Sequence, residues 1–179
     1  MDWNTFLIIS HIIGTVLGVG GATFAEIFSI KALRDGLMEP MELSYIRNTV
    51  TVLRVGLFIL VLSGFGFLLL YRLNGVDWPF FDLKFWAKMT VVGIIAVNAV
   101  VMQLRIVPMS VGSAISLTSW YTALVLGIWH MYEPSFLLIM FWYIVAIIIV
   151  FFVLAFIKKA LGIDTGHSNK KLFRSKSNV

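Results

Sequence analysis

The feature that most constrains this chain is a set of five apolar runs, over residues 3–30, 50–71, 86–104, 110–131 and 135–157, each bounded by charge, Pro or Gly. A helix rises 1.5 Å per residue, so about 20 apolar residues cross a hydrocarbon core roughly 30 Å thick. Each run is about that long. In lipid every backbone N–H and C=O must be paired inside the structure, which leaves helices and closed barrels as spanning elements. These runs are continuous rather than alternating and exceed the length of a barrel strand, so they predict α-helices. The expected fold is an all-α integral membrane bundle of five transmembrane helices over 1–158, with a basic tail over 159–179. Hydrophobic residues make up 60% of the 179, which leaves no length for a separate soluble domain. The first run follows Asp2 instead of a basic segment and extends from Trp3 to Ala25, too long for a signal sequence, so it reads as a retained helix.

The basic residues give the expected orientation. One side collects Lys31, Arg34, Arg47, Arg54, Arg105 and the six Lys and Arg of the last twenty-two positions; the other holds Arg72, Lys84 and Lys88. Eleven against three predicts an outside amino terminus and a cytoplasmic tail, as in a bacterial inner membrane. Trp3, Tyr71, Trp78, Trp86, Trp129 and Tyr132 fall near predicted helix ends, where an aromatic belt lies. The net charge of +5 is accounted for by a tail against anionic lipid headgroups, without nucleic acid. Segment 31–49, with Pro40 and mixed charge, reads as a short amphipathic connection along the inner surface. The 72–85 loop is the largest outer structure. The short connections at 105–110 and 132–135 make the last three helices antiparallel neighbours.

With no cysteine in the chain, disulfides, iron–sulfur clusters and thiolate chemistry are excluded, and redox work would need a borrowed cofactor. Chemistry in the spans rests on a few polar groups: His11, Glu26, Arg54, Lys88, Asn98, Gln103, His130 and the Ser/Thr run around 116–122. Gly14, Gly18 and Gly21 follow His11 on one helical face, and Gly127, Ala123 and Ser116 precede His130 on another. Two histidines above two small-residue faces predict a haem b gripped between the first and fourth helices, with His11 and His130 as iron ligands. Lys88, Arg72 and Lys84 are placed to pair with propionates. The same Gly14–Gly18 pair is also a GxxxG packing face that needs no ligand. Glu26 and Arg54 are expected to form an ion pair, and the helix-four hydroxyls to bond carbonyls within their own helix. Scattered methionines give no copper cluster, and His167 in the tail is expected to stand apart.

The stretch from His11 through Gly14, Gly18, Gly20 and Gly21 to Ala22, with Phe85-Trp86-Ala87-Lys88 opening the third helix, resembles the copper-resistance D family and the HemJ-type protoporphyrinogen oxidases over about the first 110 residues. The resemblance implies a small helical bundle that binds haem b or handles copper, with His11 as the first-helix histidine and Lys88 as the third-helix lysine. Asn98 and Gln103 stand within helix three where a copper site would want histidines, which puts a multi-histidine copper site in doubt and favours haem or no metal. The leading expectation is therefore a haem b-binding membrane protein of electron transfer. Its alternatives are a non-catalytic accessory subunit of a larger membrane complex, or a homo-oligomer of this chain, and a copper or proton permease-like protein using Glu26 and the polar face of helix four.

Overall fold

A computed structural model describes residues 2–34, 39–76, 81–129 and 135–163. They form five α-helices: α1 (Trp3–Arg34), α2 (Pro40–Leu73), α3 (Leu83–Gln103), α4 (Met109–Ile128) and α5 (Phe136–Ala160). All five are long and apolar enough to cross a membrane, so the expected five-span bundle is the observed fold. Large side chains such as Phe58, Phe65, Phe152 and Phe156 lie exposed around the exterior, which suits a bilayer as solvent.

One boundary differs from the sequence reading. The connection expected over 31–49 is helical from Pro40 onward, and 40–49 is the first part of α2. Pro40 starts the helix, because its fixed φ and missing N–H cost nothing at the first turn. Glu39 and Glu42 complete a reciprocal capping box around it, with the Glu39 N–H donating to Glu42 Oε2 at 3.2 Å. With 32 and 34 residues, α1 and α2 are each roughly 50 Å long, well beyond a hydrocarbon core of roughly 30 Å. At the opposite end of α1, a hydrogen bond with Thr5 holds the exposed Asp2 carboxyl below its usual range, and its charge faces the helix N-terminus.

Three helices end in the same way. After α2, α3 and α5 the chain passes through one residue of positive φ, at Gly75 (68°), Arg105 (57°) and Gly162 (71°). The amides that follow reach back to the last turn, as Val76 N–H to the Tyr71 carbonyl at 2.9 Å and Ile106 N–H to Val101 at 3.1 Å. Two of the three positions carry the residue that tolerates this conformation. Arg105 does not.

Packing is uneven. The α1–α2 hairpin has the most extensive contact, α4 is the hub touching α1, α3 and α5, and α2 makes little backbone contact with α3. Between α1 and α2 the fit is glycine against backbone: a Cβ on Gly14 would lie 2.7 Å from the Leu60 nitrogen, and one on Gly56 would lie 2.8 Å from the Gly18 nitrogen. Two helices approach this closely only where side chains are absent. Around α4 the fit is made by large side chains. Trp120 is fully buried and its ring covers Gly18, while Val91 and Ala87 of α3 are fully buried in the same core as Tyr143 of α5.

Candidate functional site

The sequence-derived candidates separate into groups with different surroundings. His11, half-buried on α1, has its Nδ1 2.9 Å from Ser63 Oγ of α2. Ser63 is buried, and its hydroxyl donates to the Leu60 carbonyl at 3.0 Å. A hydroxyl has one proton. Since that proton goes to Leu60, the hydrogen in the contact with His11 must come from Nδ1. A neutral imidazole in this arrangement is the Nδ1–H tautomer, which carries a lone pair on Nε2. The ring edge of Phe67 packs against the imidazole at 5.7 Å and 73°. Lys88 of α3 is near enough for its charge to act on His11, and Lys84 and Asp82 act in turn on Lys88.

The glycines do something else. Gly14, Gly18 and Gly21 share one buried face of α1, as the spacing predicts, but protein fills that face. The backbone of α2 closes over Gly14, the Trp120 ring over Gly18, and Leu53 Cβ would stand 3.0 Å from a Cβ at Gly21. A macrocycle beneath His11 would have to displace Trp120. Gly127 is exposed, with nothing within 4 Å of a built Cβ. His130, Met131, Tyr132, Trp78 and His167 lie outside the described residues.

The ion pair also differs from expectation. Glu26 pairs with Lys158 of α5, Oε1 to Nζ at 2.7 Å, with side chains 7% and 6% exposed, and not with Arg54. Arg54 instead donates to Gln103 Oε1 at 3.0 Å, joining α2 to α3 at the same end. The reason is position: Lys158 lies in the last turn of α5 and is folded into the bundle, so it belongs to the core and not to the solvated tail. Asn98 Nδ2 donates to the Gly112 carbonyl at 2.9 Å, tying α3 to the start of α4. Glu26, Asn98 and Gln103 are therefore each engaged in a pairwise tie, and none of these ties extends to another.

The polar stretch of α4 divides its hydroxyls between self-satisfaction and neighbours. Ser119 donates to the Ile115 carbonyl at 2.6 Å, as expected, so the 2.6 Å contact with Tyr143 of α5 is a Tyr143 donation. Thr23 donates to the Val19 carbonyl, so Tyr121 donates to Thr23 across 3.1 Å, linking α4 to α1. Thr118 is buried with its hydroxyl unpartnered, and so is the Trp120 indole nitrogen. Among the described residues, no three His, Asp or Glu side chains converge as a metal site.

Sequence reasoning missed Ser63, Gly56, Trp120 and Lys158. Gly56 had a signal, since a glycine in a spanning helix opposite a GxxxG face is a packing partner by default. Ser63 and Lys158 had none without knowing which helices touch. Comparison with protein-family models, curated proteins and solved structures finds no match.

Proposed function

We propose that this five-span membrane protein binds haem b and serves electron transfer, with His11 as the iron ligand and Lys88 as the partner of a haem carboxylate. The observation that carries the reading is the His11–Ser63 contact. A histidine that donates one ring nitrogen to a fixed acceptor presents the other as a ligand in a set orientation, the usual arrangement behind metal-bound imidazole. Lys88 supports it as a cation whose charge is felt at that imidazole, suited to an anionic carboxylate. The resemblance of the first helix and of Phe85-Trp86-Ala87-Lys88 to the HemJ-like and copper-resistance D group points the same way. Bound there, haem b would supply a reversible one-electron couple.

This chain's own residues would hold and orient the group. Ser63 fixes the imidazole tautomer, Phe67 restricts ring rotation, and Lys88 offsets negative charge. Gly14, Gly18 and Gly21 act as packing surface, so the group would meet His11 away from that face. His130 is the other histidine among the apolar runs and the candidate for a second ligand. The amino terminus is proposed to lie outside and the tail in the cytoplasm, on the asymmetry of basic residues; this puts His11 in the outer leaflet. Reporter fusions at Asp2 and Asp164 test it, and cytoplasmic labelling at Asp2 would reverse it.

The function is tested by the absorption spectrum of the purified protein before and after dithionite. The wild type should show a Soret band that sharpens and shifts on reduction. His11→Ala should lose it, and His130→Ala should lose it or change from a six- to a five-coordinate spectrum. A His11→Ala protein with full haem content and an unaltered spectrum would leave the accessory-subunit reading in front.

A further inference from the structure

A groove of about 800 Å³ opens between α4 and α5, with Thr23 as the contribution from α1. Its lining includes Thr118 and Tyr121 of α4 and Trp142, Tyr143 and Ala146 of α5. Among the described residues, no charged side chain lines it. At its far end α5 is tied to α1 by Lys158 and Glu26. The size falls in the range of small-molecule sites, roughly 300–1,000 Å³.

The hydroxyls around the groove show what it lacks. Tyr143 gives its proton to Ser119, and Tyr121 gives its proton to Thr23. Thr118 is 4% exposed, lines the groove, and bonds nothing. Thr15, Thr23, Thr49, Thr51 and Thr90 all donate to the carbonyl four residues back. A helical Thr hydroxyl can make that bond in one of its two common rotamers, and Thr118 does not make it. Its proton has no acceptor among the described residues.

Depth limits what that acceptor can be. Thr118 is midway along α4, so it lies near the bilayer midplane. Acyl chains carry no acceptor, and phospholipid ester carbonyls stay at the edges of a hydrocarbon core roughly 30 Å thick. An occupant must bring its own carbonyl into the core. A neutral occupant fits a lining whose described residues offer no countercharge, and a flat ring suits the Trp142 and Tyr121 side chains. We propose that this groove binds a lipophilic quinone, one ring carbonyl accepting from Thr118 and the tail leaving between α4 and α5 into lipid. The site is separate from His11 and does not depend on haem being bound there.

Quinones quench tryptophan fluorescence, and Trp142 in the groove wall is a built-in reporter. Purified full-length protein in detergent, titrated with a decyl-substituted benzoquinone, should show saturable quenching. Thr118→Val, which keeps the shape and removes the hydroxyl, should weaken the apparent affinity about five- to tenfold, the effect of one hydrogen bond, with no fall in thermal midpoint. Ala146→Phe should abolish saturation by filling the groove; if it fails to fold, the Thr118→Val arm still decides. Linear, non-saturating quenching of the wild type would overturn the proposal, as would an unchanged affinity in Thr118→Val. Equal competition by decylbenzene, which has no carbonyl, would assign the groove to hydrocarbon chains. A dimer by sedimentation in which Trp142 is shielded from the quinone would assign it to a second copy. A protein without haem leaves every arm of this test in force.

Discussion

Two polar sites, one on each half of α1, use their side chains in opposite ways. Toward one end Glu26 and Lys158 meet at 2.7 Å, and each neutralises the other. Toward the other end His11 meets Ser63 at 2.9 Å and retains a nitrogen with no partner among the described residues. A pair that satisfies itself is a clamp between helices. On the proposed function, a group held in place with one nitrogen open is prepared for a ligand. The comparison separates structure from function within a single helix, and substitutions at the two ends should fail in different ways.

The largest effect is expected at the clamp. Lys158→Met leaves the Glu26 carboxylate buried and alone, a change that typically costs about 3–5 kcal/mol. Thermal unfolding in one detergent should show a correspondingly large drop, with haem content lost only through unfolding. Adding Glu26→Gln should recover most of it, because two neutral groups carry no unpaired charge. A single variant as stable as the wild type would show that the pair is solvated.

Packing comes next. Gly18→Leu drives a side chain into Trp120, and Gly56→Leu drives one into the α1 backbone. Overpacking of this kind costs about 1–3 kcal/mol. Gly127→Leu, on an open face, should stay within about 0.5 kcal/mol of the wild type. Equal losses at Gly18 and Gly127 would mean that α4 packs against something on the face that is open in this structure.

At the His11 end the effect should be on binding and small on stability. Ser63→Ala removes the acceptor for Nδ1–H at a cost of about 1 kcal/mol. Haem affinity, measured by titration, should fall about 10–100-fold, as for the loss of other groups that orient a ligand. An affinity unchanged in Ser63→Ala would show that the tautomer is not what prepares the site. The smallest change lies outside both sites: Arg105→Gly relieves a left-handed backbone at the end of α3 and should stabilise by roughly 1 kcal/mol, read as a raised thermal midpoint.

These contrasts also mark what the sequence could tell. The spans were legible because lipid imposes a length and a composition on every helix that crosses it, and the first-helix glycine face was legible because helical spacing puts Gly14, Gly18 and Gly21 in a row. What covers that row was not, since Trp120 approaches from a helix a hundred residues away and nothing local marks it as a wedge. Pro40 misled for a physical reason: the residue that breaks a helix interior starts a helix well, and only the Glu39–Glu42 box distinguishes the two. Lys158 misled because it adjoins a basic tail, although one turn of helix is enough to bury it beside Glu26. His11 stood out as a lone imidazole in an apolar run. Ser63, 52 residues further on, gives it its meaning and carries no mark in the sequence.

The central claim is that the free Nε2 of His11 is a ligand nitrogen, and chemical rescue tests it most directly. His11→Gly removes the imidazole and opens space where it stood. The account predicts that this protein, given haem and reduced with dithionite, lacks the sharpened Soret band of the wild type and regains it when free imidazole is added. A full reduced band in His11→Gly before any imidazole is added would contradict it.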